Sequence, residues 1–316
     1  MPRAIPQILA NSIRYFTESS KGTGRGENDA RNKAREYILA ILLTPAVDKF
    51  FTDPTYGPQW QTLHDAWRAA LVDVATRNHI TSYINIVVHP KGGLSYNRDM
   101  DVGYVCADGL YPKLNTEFKF GGTSVSTIPQ VLSVGANKPF HPSIPYYADF
   151  FYDNYLDAIC DLYTIPRSEK PAKDLYLKHL YNMDAKIPFL QRLDEAERAE
   201  VPNEKGPKYK AKSALVDRSI STYLATCVDK TDLGAVSAEL QRSQAGKNFL
   251  LYNNGIFHYD RIEDDELIIT HVVGVKGNNL VLQSAKPTTT YNALLRWKNH
   301  KGVLYPAWQI SLKRIR

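Results

Sequence analysis

Near residue 80 the apolar residues change their period, and an α/β fold follows from that change. Upstream, Trp60, Leu63, Trp67, Leu71 and Val74 recur every three or four positions, one face of a helix over 58–77. A shorter helix over 29–43 carries Ala34, Ile38, Ile41 and Leu42 on its apolar face, and Pro45 ends it. Downstream, Tyr83, Ile84, Ile86, Val87 and Val88 form a short β-branched run closed by His89-Pro90-Lys91-Gly92-Gly93. Residues 100–106 and 114–120 are two further strands, with a turn signal at Ala107-Asp108-Gly109 between them. Helices followed by consecutive strands, the last two in a hairpin, predict an α/β core.

The middle of the chain reads as helical and tyrosine-rich, over 149–163, 171–182 and 188–198. Residues 200–212, with two prolines and four lysines, read as a linker, and a helix over 214–227 follows. From Asn248 onward the texture is β. Asn253-Asn254-Gly255 between two apolar runs is a hairpin signal, and Lys276-Gly277-Asn278-Asn279 is another turn. The expected division is a core over 1–165 with its N-terminal helices, a helical insertion and linker over 166–212, and a helix plus β-rich region over 213–316.

Composition narrows the class of protein. The 316 residues are 43% hydrophobic and 23% charged, which excludes wholesale disorder and collagen-like or coiled-coil chains. No apolar run approaches the ~18–20 residues of a membrane helix, and no signal peptide is read at the N-terminus, so a soluble, intracellular protein is expected. Three cysteines, far apart and without Cys-x-x-Cys, suggest neither a disulfide framework nor a cysteine zinc site. The net charge of +6 is unevenly spread: residues 291–316 hold six basic residues and no acidic one, and residues 3–35 hold seven against three. Two basic ends make a polyanionic partner, a nucleic acid such as DNA or RNA, worth testing.

The chemistry concentrates between Arg98 and Gln130. On a strand, side chains alternate faces, so Glu117 and Lys119 project one way and Phe118 and Phe120 the other. Asp101, between Met100 and Val102, projects away from its apolar neighbours and is expected to meet Glu117 across the hairpin. Two carboxylates beside a lysine suit metal-dependent phosphodiester hydrolysis. The carboxylates bind a hard divalent ion, and the lysine steers water or stabilises the charge that develops on phosphate.

Asp101 and Glu117-Phe118-Lys119, behind a helical start, resemble the PD-(D/E)xK nuclease superfamily. That group includes many type II restriction enzymes, Holliday-junction resolvases and RecB-type exonucleases. The resemblance spans roughly residues 29–135 and implies a restriction-endonuclease-like core, with helices flanking a mixed sheet. To that core the chain would add a helical insertion and a C-terminal β-rich part. The resemblance implies that Asp101 and Glu117 ligate Mg²⁺, with Mn²⁺ as a substitute, and that the Phe118 backbone carbonyl completes the site. Lys119 would be the catalytic lysine, Glu36 an acidic residue from the first helix, and Gln130 the glutamine found after the lysine-bearing strand in RecB-like members. Met100 stands where the motif has proline. Lys91, Arg98 and Lys113 are candidates for holding the DNA backbone. Cleavage of both strands would favour a homodimer.

A second motif overlaps the first. Gly92-Gly93 followed by Asp99-Met-Asp101 resembles the signature of polymerase-β-type nucleotidyltransferases, in which Asp99 and Asp101 would share two Mg²⁺ ions and Glu117 would be the third carboxylate. A non-catalytic nucleic-acid-binding protein is the third reading. The basic residues around Trp297 and Trp308 fit base stacking or a β core equally.

Overall fold

The first helices are α1 (Arg25–Ile41), α2 (Asp48–Phe51) and α3 (Gly57–Arg77). This is a computed structural model, and it describes residues 7–18, 25–91, 98–127, 132–133, 140–182, 187–199, 206–300 and 303–315. Pro58 stands in the first turn of α3, where its missing N–H leaves no bond unmade. Trp60, Trp67, Leu71 and Val74 are wholly buried, so the stripe expected on this helix is the face that packs. A 3-10 turn over Ala10–Phe16 receives the Trp60 indole N–H on the Ala10 carbonyl at 2.7 Å.

Strands β1 (Asn85–Pro90), β2 (Met100–Val105) and β3 (Lys113–Phe120) pair antiparallel in sequence. The chain then leaves this sheet for β4 (Leu132–Ser133) and the helices α4 (Tyr147–Asn154), α5 (Leu156–Tyr163), α6 (Lys173–Asn182), α7 (Pro188–Arg198), α8 (Pro207–Cys227) and α9 (Leu233–Gln244). It returns as β5 (Asn248–Asn253), parallel to β3, and β6 (Ile256–Asp260), antiparallel to β5. The result is a mixed sheet in the order β1-β2-β3-β5-β6. The β5–β6 turn has positive φ at both Asn254 (48°) and Gly255 (86°), which a tight hairpin turn demands.

One face of this sheet is apolar. Val88, Val102, Phe118, Leu250 and Tyr252 pack there against Ile38, Leu39, Leu71 and Val74 of α1 and α3. The other face carries Asp101, Glu117 and Lys119, in keeping with strand alternation.

The last strands, β7 (Ile269–Lys276), β8 (Asn279–Ser284), β9 (Thr289–His300) and β10 (Val303–Arg314), form a separate antiparallel sheet with β4, ordered β4-β10-β9-β8-β7. Glu266, fully buried, accepts Arg314 bonds at 2.7 and 2.8 Å and the Thr289 hydroxyl at 2.8 Å, so part of the acidic run 260–266 is an internal ion pair. The fold is thus α/β, with a mixed sheet packed by helices, a helical insertion and a β-rich C-terminal part.

The chain divides into two compact units, Met1–Pro129 with Ser243–Glu263, and Gln130–Arg242 with Asp264–Arg316. The boundaries expected at 165 and 212 differ from these, because β5 and β6 complete the sheet begun by β1–β3. Within the linker read over 200–212, residues 200–205 lie outside the described residues, and 207–212 are helical: α8 begins at Pro207, again with proline in its first turn. Among the described residues no helix is long and apolar enough to cross a membrane.

Candidate active site

Strand register decides which aspartate meets Glu117. Met100 lies opposite Thr116 and Asp101 opposite Asn115, so continuing the ladder by one residue sets Asp99 opposite Glu117. The Asp99 N–H donates to the Thr116 carbonyl at 3.2 Å, and the Phe118 N–H donates to the Asp99 carboxylate at 3.1 Å. The expected Asp101–Glu117 meeting is therefore corrected. Asp101 shares the face but stands one pleat away, where it is closed by cations. It accepts from Arg98, including a 3.3 Å contact to the second guanidinium nitrogen, and the Lys91 ammonium lies 3.5 Å off. Burial alone would raise the Asp101 pKa, but Arg98 and Lys91 hold it below the ordinary carboxylate value.

Asp99 has the opposite electrostatics. Desolvation, then the Glu117 and Glu36 carboxylates, push it up to about 7 against the pull of Lys119 and Lys33. Lys119 donates to Glu117 Oε1 at 2.6 Å. Desolvation would lower the Lys119 pKa, yet Glu117, Asp99 and Glu36 together hold it above its ordinary value. Glu36, on α1, is paired with Lys33 and is raised by burial. The fields of Lys119 and Glu117 both reach it, so the first helix does contribute a carboxylate to this neighbourhood.

Lys247 joins from the other side of β3 from Asp99, that of the neighbouring β5. It immediately precedes β5, its side chain is 6% exposed, and its ammonium lies 3.6 Å from Glu117 Oε2. Burial lowers its pKa, while Glu117 and Asp99 act the other way. No local motif marks this lysine, since only the parallel β3–β5 pairing brings it beside Glu117. Asp99 was visible in the sequence, but as part of the transferase-like motif.

Lys113 lies farther off. It is exposed at the start of β3, its ammonium 4.8 Å from the Tyr111 ring; it stands four residue steps along the strand from Glu117, about 13 Å. Gln130 falls outside the described residues.

The donor set fits a hard cation. Among the described residues no three His, Cys, Asp or Glu side chains form a ready-made metal cage. Two opposed carboxylates suit Mg²⁺, which keeps water or phosphate oxygens on its other positions. In a strand, a residue's N–H and C=O point to the same neighbour. The Phe118 carbonyl is thus directed to the side on which Asp99 lies.

No family model and no curated protein matches the chain. It is similar to a solved structure, the restriction endonuclease MspI in complex with its cognate DNA, at 12% identity and a TM-score of 0.31 over 97% of this chain and 99% of that one. The side chains, and not this likeness, carry the functional reading.

Proposed function

We propose that the chain is a divalent-metal-dependent endonuclease that hydrolyses DNA phosphodiester bonds. The supporting observation is the facing pair Asp99 and Glu117, largely desolvated, with Lys119 bonded to Glu117. Their mutual repulsion falls when a divalent cation joins them. Bound there, Mg²⁺ or Mn²⁺ supplies a Lewis acid that neutralises phosphate charge and acidifies water. Asp99, Glu117 and the Phe118 carbonyl would hold the ion, within the field of the Glu36 carboxylate. Lys119 orients the attacking water or stabilises charge on the phosphate. Asp101 takes a different part from the metal ligand its motif suggests. It fixes Arg98 and Lys91 beside the site, where their cations meet the DNA backbone. The same pairing argues against the transferase reading, which requires Asp101 to share metal ions with Asp99.

The test is supercoiled plasmid with Mg²⁺, Mn²⁺ or EDTA, using the wild type, Asp99→Asn, Asp101→Asn and Lys119→Ala. Metal-dependent nicking or linearisation is expected. Asp99→Asn and Lys119→Ala should fall by about 10³-fold, and Asp101→Asn by no more than about 10-fold. A wild type that leaves DNA intact in every metal, or cleaves only an RNA transcript, overturns the proposal. An Asp101→Asn loss as deep as that of Asp99→Asn returns the ligand role to Asp101.

A further inference from the structure

Glu117 faces a lysine at each of its two oxygens, one on β3 and one just before β5. Lys119, two residues along β3, takes Oε1 at 2.6 Å. Lys247 approaches Oε2 at 3.6 Å. Its place there is built by the backbone. α9 ends at Gln244, whose carbonyl accepts the Lys247 N–H at 3.2 Å, and Gly246 reverses the chain with φ at +68°. β5 then enters the sheet with Asn248 beside Thr116, so Lys247 falls beside Asn115, next to Glu117 along the same face.

A lysine buried to this depth is poorly explained by stability. At 3.6 Å it lies beyond a normal hydrogen bond, and a desolvated ion pair commonly returns less than an apolar side chain of the same volume. What the position does provide is a second positive charge on the carboxylate that faces Asp99.

We infer that Lys247 is a positioning residue of the cleavage centre, fixing Glu117 through its second oxygen and so setting where that carboxylate meets the divalent ion. The inference rests on the nuclease reading of the same site. Without Lys247, Glu117 answers to Lys119 alone and turns toward it. One positive charge that competes with the ion is also removed. The two effects have opposite signs in two measurements, and a purely structural role does not produce that split.

The experiment compares wild type, Lys247→Met and Lys247→Arg by Mg²⁺-dependent DNA cleavage, Mn²⁺ titration calorimetry and thermal melting. For Lys247→Met, kcat should drop about 10–100-fold with KM for DNA nearly unchanged. Mn²⁺ should bind several-fold more tightly. Lys247→Arg, which keeps the charge, should recover most of kcat and the wild-type ion affinity. The inference is overturned if Lys247→Met keeps wild-type kcat, or if its ion binding is unchanged or weaker. It is overturned equally if activity falls only in proportion to folded protein, including a variant that does not fold, or if arginine rescues nothing. A wild type that cleaves no DNA sinks the nuclease reading itself. A wild type that cleaves while Lys247→Met cleaves equally well sinks this inference alone.

Discussion

At Asp99 the electrostatics of the site become a property of the whole fold's stability. Desolvation and the Glu117 carboxylate raise its pKa to about 7, against ~3.9 for an unfolded aspartate. Between those values the folded chain keeps a proton that the unfolded chain has released. Stability therefore falls as pH rises through that window. The groups that set the effect are Glu117, Glu36, Lys119 and Lys33. In EDTA the wild type should melt at a lower temperature at about pH 8 than at about pH 5.5, by on the order of a few kcal/mol of stability. Asp99→Asn, which cannot ionise, should lose most of that difference and be the more stable protein at the higher pH. Mg²⁺ should stabilise the wild type at about pH 8 and leave the variant nearly unmoved. Melting followed by circular dichroism at both pH values decides it: a wild type with the same pH profile as the variant rules out the raised Asp99. Single residues also mark where sequence reading stops. Strand alternation correctly put Glu117 and Lys119 on one face. Asp99 and Asp101 also share a face, however, and only the pairing Met100–Thr116 says which of them meets Glu117.

Among the elements, α1 carries Glu36 and is anchored by the residue before it. Arg35 is fully buried and donates to the Tyr15 carbonyl and to the Asn32 side chain, each at 2.7 Å. Its guanidinium carbon lies 3.6 Å from the centre of the Phe120 ring. Burial lowers its pKa to about 10, so it stays charged at neutral pH. Arg35→Met keeps much of the volume but leaves the Tyr15 carbonyl without this donor, and should cost about 2–4 kcal/mol in urea unfolding. Arg35→Lys should recover little, because an ammonium cannot replace a planar fork lying over an aromatic ring. If Arg35→Met is as stable as wild type, α1 is held by its apolar face alone. Elements with strong local signals were legible: α3 by its tryptophan–leucine stripe, and the β5–β6 hairpin by Asn254-Gly255. The helix read over 149–163 is instead two, broken at Tyr155, where the backbone leaves the helical range at φ −132°. α9 was missed, since Leu233-Gly-Ala-Val-Ser-Ala carries a glycine and small residues where a periodic stripe would show.

For the molecule as a whole, what the sequence could not reveal is which distant segments share a sheet. Local pattern marks 249–252 as a strand, but nothing local says that it lies parallel to β3 after an excursion through six helices. That non-local step brings Lys247 to Glu117, and it also makes the first unit discontinuous. A testable consequence is that residues 1–129 do not fold alone. Without β5, β3 loses the partners of Thr116 to Phe120 and presents an open edge. The apolar layer loses Leu250 and Tyr252, along with Phe257 and Tyr259 packed against it. Trp67 loses the Phe257 ring that lies 5.1 Å from its own. Each buried aromatic or leucine removed costs a few kcal/mol, and the loss of two buried and two partly buried side chains together rivals the usual stability margin of a domain this size. The 1–129 fragment should show helix by circular dichroism but no cooperative urea transition, whereas the full chain should unfold cooperatively. A cooperative transition in the fragment would mean that β1–β3 and their helices form a self-sufficient unit, to which β5 adds the second lysine but not the fold.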